Sequence, residues 1–159
     1  MRAEASHYKS ELLASSRPIR VLLVEDDAND EYLTLRAIRE ANLPAHVQVA
    51  KDGAEAAQYL FGEDGFGGDL PELVILDAKL PKITGHELLQ IIRGCERSRR
   101  LPVVMLSSSC DQDDVRRAYD CGANCFLQKP IDLDEYTKLI QVSVQFWLCA
   151  VRLPSRDLF

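Results

Sequence analysis

Four short apolar runs punctuate the chain, and each ends on or near a residue that can bind a metal or a phosphate. Val21-Leu22-Leu23-Val24 runs into Glu25-Asp26, Leu73-Val74-Ile75-Leu76 into Asp77, and Val103-Val104-Met105-Leu106 into Ser107. Cys125-Phe126-Leu127 is followed closely by Lys129-Pro130. Apolar runs of this length, bounded by polar residues, suit strands buried on both faces of a parallel sheet. In one such sheet their carboxyl ends share an edge, where open α/β sheets place their ligands. Three carboxylates, a hydroxyl and an ammonium then meet in one crevice.

Helical patterns separate the runs. Tyr32, Leu35 and Ile38 recur at helical spacing between about Ala28 and Ala41, with Asn42 and Pro44 as stops. Val47 to Ala50 is short and alternating, as an edge strand would be. Asp52 can cap a helix carrying Ala54, Ala57 and Leu60. Thr84 or Gly85 opens another bearing Leu88, Leu89, Ile91 and Ile92, and Asp111 caps one that ends at Gly122. Asp132 precedes a last helix from about Leu133 to Leu148. Strand–helix alternation of this kind predicts an α/β fold, a doubly wound five-stranded parallel sheet with right-handed crossovers. Residues 1–17 read as an N-terminal extension, 18–153 as the domain and 154–159 as a tail. Gly62 to Asp69 is a loop by composition, either a plain surface insertion or a partner-contacting loop tipped by Phe66.

Bulk properties narrow the function classes. The net charge is −6 and there is no long Lys/Arg run, which disfavours nucleic-acid binding. No apolar stretch approaches the roughly 20 residues that span a bilayer, and residues 1–17 lack the apolar segment of a secretory signal. The five cysteines contain no CxxC pair, and no His lies near Cys121 or Cys125. Free thiols in a reducing cytoplasm are the expected reading.

The strand-end residues share one chemistry. Converging carboxylates cannot all stay ionised without a counter-charge, and a hard cation such as Mg²⁺ supplies it through oxygen ligands. Asp26 and Asp77 are candidate direct ligands, with Glu25 reaching through water. Asp77 is also a candidate nucleophile, able to form an acyl phosphate. Phosphoryl transfer needs mainly positioning and charge neutralisation. Mg²⁺, the Lys129 ammonium and the Ser107 hydroxyl could each take one phosphoryl oxygen.

These pieces resemble the receiver domain of two-component response regulators. The matching segments are Val24-Glu25-Asp26-Asp27, Leu76-Asp77-Ala78-Lys79-Leu80-Pro81, Gly85-His86-Glu87-Leu88-Leu89, Leu106-Ser107-Ser108-Ser109 and Gly122 to Pro130, within roughly residues 19–150. The resemblance implies a flavodoxin-like sheet in strand order 2-1-3-4-5. It implies phosphoryl transfer from a kinase histidine to Asp77, with Mg²⁺ on Glu25, Asp26 and Asp77. It further implies a switch pair, Ser107 and Phe126, and a cis Lys129–Pro130 bond. The long loop 62–71 and the tail from Phe146 to Pro154 are similar to the stand-alone regulators that partner phytochrome-type histidine kinases.

On this reading the chain is a single-domain response regulator acting through protein contacts, since only about 30 residues follow Lys129. It would phosphorylate and dephosphorylate itself without turning over external substrates. Lys79 stands where aspartyl-phosphatases of the haloacid-dehalogenase type usually carry a second carboxylate, which argues against that class. A non-phosphorylated pseudo-receiver is disfavoured by the complete acidic set. Lys79 could brace a phosphoryl group or pair with Glu25. On the last helix Leu133, Tyr136, Ile140, Ser143 and Trp147 are expected to face the core. Val144, Leu148 and Val151 would form a second face, covered in a homodimer through the helix and tail.

Overall fold

The computed structural model describes residues 17–62 and 69–154. Five strands alternate with five helices: β1 (Ile19–Val24), α1 (Ala28–Glu40), β2 (Ala45–Ala50), α2 (Gly53–Phe61), β3 (Leu73–Asp77), α3 (Gly85–Gly94), β4 (Val103–Ser107), α4 (Gln112–Asp120), β5 (Cys125–Gln128) and α5 (Leu133–Gln145). The strands form one parallel sheet in the order β2-β1-β3-β4-β5, the flavodoxin-like order expected.

Side-chain alternation along each strand divides the core in two. Leu22, Val24, Val74, Leu76, Val103 and Met105 pack on one face with Ala56, Leu60, Leu88, Leu89, Ile92 and Ala118, from α2, α3 and α4. Val21, Leu23, Leu73, Ile75, Val104 and Leu106 pack on the other with Ala37, Ile38, Tyr136 and Ile140, from α1 and α5. β1, β3 and β4 are therefore apolar on both sides, which explains their unbroken apolar runs.

Side-chain caps start every helix at the crevice end of the sheet. Asp27, Asp52, Asp111 and Asp132 each accept from first-turn backbone N–H groups. Thr84 and Glu87 form a reciprocal capping box on α3. Gly122, at φ 92°, ends α4. The amides of Gly122 and Ala123 close a Schellman motif on the carbonyls of Tyr119 and Ala118, both at 2.9 Å.

Four expectations change. β2 begins two residues before Val47, at Ala45, because the Pro44 carbonyl accepts from Ile19 N–H at 2.8 Å and starts the pairing early. No described peptide bond is cis, so Lys129–Pro130 is trans, the form that X–Pro bonds favour intrinsically. The last helix is α-helical only to Gln145 and continues as a π-helical turn, Phe146–Ala150. Its core stripe is Tyr136, Ile140, Val144 and Leu148, each 2% exposed, while Leu133 is exposed and Trp147 only half-buried. These four recur every fourth residue, so Val144 and Leu148 share the core side rather than forming a second face. The Phe66 loop tip and residues 1–16 lie outside the described residues.

Candidate phosphoacceptor site

Asp77 ends β3, and its carboxylate is fixed from two sides. Lys79 N–H donates to Oδ1 at 2.8 Å, and the Lys129 ammonium donates to Oδ2 at 2.5 Å. Gly85 allows α3 to begin hard against this strand end: a Cβ there would lie 2.2 Å from the Asp77 carbonyl oxygen. Glu25, at the end of β1, is fully buried. Its Oε1 accepts from Asp27 N–H at 3.1 Å and its Oε2 from Lys129 at 2.7 Å. Asp26 is exposed, yet oxygens of Glu25, Asp26 and Asp77 all lie within 4.8 Å of one another. Ser107, 1% exposed at the end of β4, accepts from Ser109 N–H at 3.1 Å through its hydroxyl. Its carbonyl accepts from Lys129 N–H at 2.7 Å, tying β5's exit to the hydroxyl-bearing residue.

The sheet thus brings together Glu25, Asp26, Asp77, Ser107 and Lys129 from four strand ends. Phe126 stands apart from this set. It is half-buried on β5 against the α2–α4 face of the core, and its N–H donates to the Tyr119 hydroxyl at 3.4 Å. Lys79 lines the crevice but does not pair with Glu25, whose buried oxygen is held by Lys129 instead. A cavity of about 540 Å³ opens beside the acceptor, lined by Asp26, Lys79 and Ser107, and extends past Thr84 to His86, Asp114 and Arg117. His86 is 7% exposed, and its Nε2 has no hydrogen-bond partner. Burial and then the Arg117 charge push its pKa down, so the ring is held neutral.

Asp30 is a site residue that the sequence reading missed. From the first turn of α1 its Oδ2 accepts from the Lys129 ammonium at 2.7 Å. Lys129 therefore contacts three carboxylates at once. Burial alone would lower its pKa, but hydrogen bonds to Asp30, Asp77 and Glu25 raise it above the usual lysine value. Burial, followed by the nearby Asp77 charge, pushes the Glu25 carboxyl up to about 7. The crevice is overloaded with negative charge that a single ammonium does not balance. Crowded hard oxygen donors in this state fit a divalent cation of the Mg²⁺ or Mn²⁺ type.

A doubly wound sheet with an acidic trio and a buried lysine at its carboxyl edge defines a class of signalling domain. The family model described as the response regulator receiver domain matches residues 21–141, and the chain belongs to that family. Among curated relatives it is similar to the probable methanogenesis regulatory protein FilR2 of Methanothrix harundinacea, 36% identical over 145 residues, covering 91% of this chain and 94% of the relative. It is also similar to the response regulator Rcp1 of Synechocystis sp., 33% identical over 142 residues, covering 89% and 97% of the two chains. The Mn²⁺-bound structure of Rcp1 superposes with a TM-score of 0.82 at 33% identity, over 87% of this chain and 100% of that one. The phosphorylated cyanobacterial phytochrome response regulator RcpA superposes with a TM-score of 0.81 at 34% identity, over 87% and 99%.

Proposed function

We propose that this response regulator accepts a phosphoryl group on Asp77 from the histidine of a sensor kinase of phytochrome type. One observation carries the reading: the Asp77 carboxylate sits among the Glu25 and Asp26 oxygens, with the Lys129 ammonium 2.5 Å from it. An Asp77 oxygen attacks phosphorus as the donor's N–P bond breaks, and the imidazole leaves with the bonding electron pair. The product is an acyl phosphate. Mg²⁺ held by Glu25, Asp26 and Asp77 would neutralise charge on the transferring group. Lys129 exchanges an Asp77 oxygen for a phosphoryl oxygen. The Ser107 hydroxyl turns inward to a second, and the Phe126 ring follows into the space behind it. The likeness to RcpA supports a phytochrome-type kinase as partner.

Output passes through protein contacts of a domain spanning residues 18–153. Val142 and Phe146, four residues apart on the outer side of α5 and its π turn, are 67% and 54% exposed, which supports a homodimer through this helix and tail. Lys79 beside the acceptor supplies no acid/base carboxylate for turning over outside phosphoesters, so the cycle is limited to self-phosphorylation and autodephosphorylation. The five cysteines are all free thiols, in keeping with a cytoplasmic setting. No described helix is long and apolar enough to cross a membrane.

Incubation with Mg²⁺ and acetyl phosphate tests the assignment. The wild type is expected to gain an acid-stable, alkali-labile phosphate that Asp77→Asn lacks. Undiminished labelling of the variant would defeat the reading.

A further inference from the structure

The Lys129 ammonium has three N–H donors, and all three are committed to carboxylates: Glu25 at 2.7 Å, Asp30 at 2.7 Å and Asp77 at 2.5 Å. Two of these partners have other duties. Asp77 is the oxygen that would be esterified, and Glu25 belongs to the trio fit to hold a cation. Asp30 has neither duty. We infer that Asp30 is a positioning residue for Lys129, the one partner that keeps the ammonium over the crevice while the other two are drawn into phosphoryl chemistry.

Three observations suit Asp30 to this role. It lies in the first turn of α1, where its N–H is fixed to the Asp27 cap at 3.0 Å, so its carboxylate projects from a rigid element. Negative charge is favoured at that helix end. Its side chain is 25% exposed, against 1% for Glu25 and 9% for Asp77, so holding its charge costs less desolvation than for the other two. Lysine needs such an anchor because its stem is long and flexible.

The inference rests on Asp77 as phosphoacceptor and adds a residue to that site. When the Asp77–phosphorus bond forms and the donor's bond to phosphorus breaks, Lys129 gives up an Asp77 oxygen and takes a phosphoryl oxygen. Its bond to Asp30 survives the exchange. The alternative is that Asp30 merely adds negative charge. Removing it would then relieve repulsion and speed labelling, so the two cases differ in sign.

The test compares wild type with Asp30→Asn, Asp30→Ala and Asp30→Glu, using Mg²⁺ and acetyl phosphate. Labelling of Asp77 should slow about fivefold or more in the Asn and Ala variants, as loss of a charge-assisted hydrogen bond requires, with partial recovery in Asp30→Glu. A second readout is independent of turnover. The ¹⁵N-resolved Lys129 ammonium signal should be protected from exchange in wild type, both in chelator and with Mg²⁺ and beryllofluoride, and should broaden away in Asp30→Ala. Unchanged or faster labelling of the variants, or an ammonium signal the same in wild type and Asp30→Ala, would overturn the inference while the phosphoacceptor reading stands. A wild type that takes no label would overturn both.

Discussion

Glu25 is the residue where the electrostatic cost of the crevice is concentrated. Its pKa rises from 4.5 to about 7 through burial and the charge of Asp77, against the lowering effect of Lys129. Between those values the folded chain holds a proton that the unfolded chain has released. The unfolded state thus binds fewer protons, and stability falls as pH rises from about 4.5 to 7, then levels off. Asp52 and Glu87, whose pKa values are lowered by Lys82 and by the Thr84 cap, lose their contributions only at more acidic pH. The two regimes are separable. In chelator-treated buffer, denaturant melts of wild type are expected to show this decline, and Glu25→Gln should flatten it. Added Mg²⁺ should stabilise the wild type more at pH 8 than at pH 6, because the cation competes with the Glu25 proton. Glu25, Asp26, Asp77, Ser107 and Lys129 were legible because each terminates or closely follows an apolar run. Asp30 was not. It belongs to an acid-rich helix start where carboxylates are ordinary, and its partner comes from 99 residues further along the chain.

Arg93 shows what an element gains from a contact that periodicity does not reveal. In the last turn of α3 it reads as a routine cation at a helix end. It is instead half-buried, with its pKa pushed down by burial. Nε donates to the Gly122 carbonyl at 2.9 Å, Nη1 to the Leu101 carbonyl at 2.8 Å and Nη2 to Asn124 Oδ1 at 2.9 Å. Asn124 Oδ1 also accepts from Val103 N–H at 2.8 Å. One side chain thereby joins α3, the start of β4 and the turn between α4 and β5. Arg93→Ala should destabilise the fold by about 2–3 kcal/mol, measured as a lower denaturant midpoint with an unchanged slope. In α5 the sequence showed a helix with apolar residues on more than one side. It did not show which stripe faces inward, because Tyr136, Ile140, Val144 and Leu148 and the rival set through Leu133, Ser143 and Trp147 both recur at helical spacing, and packing on the sheet decides between them.

For the whole molecule, topology followed from the alternation of strands and helices together with the motif resemblance. Sheet order came from the resemblance, since spacing alone leaves several orders open. The outer surface was harder to read, because apolar residues at surface positions have no fixed partner within the chain. Ile131, Val142 and Phe146 are all more than half exposed. With a homodimer through α5 and the tail, Phe146→Asp should shift the protein to monomer in sizing experiments without slowing Asp77 labelling, since the crevice lies at the carboxyl edge of the sheet. An unchanged elution position for the variant would remove this face from the assembly.

Among the described residues β5 is the outermost strand on its side, bonded to β4 alone. It carries Phe126, and Lys129 follows it directly. Displacing either would disturb a single ladder of backbone bonds, whereas an equal movement in β1 or β3 would strain two. On the proposed switch, the two residues asked to move, Phe126 and Lys129, hang from the margin of the sheet, so a local rearrangement would reach the exterior while the central strands stay put.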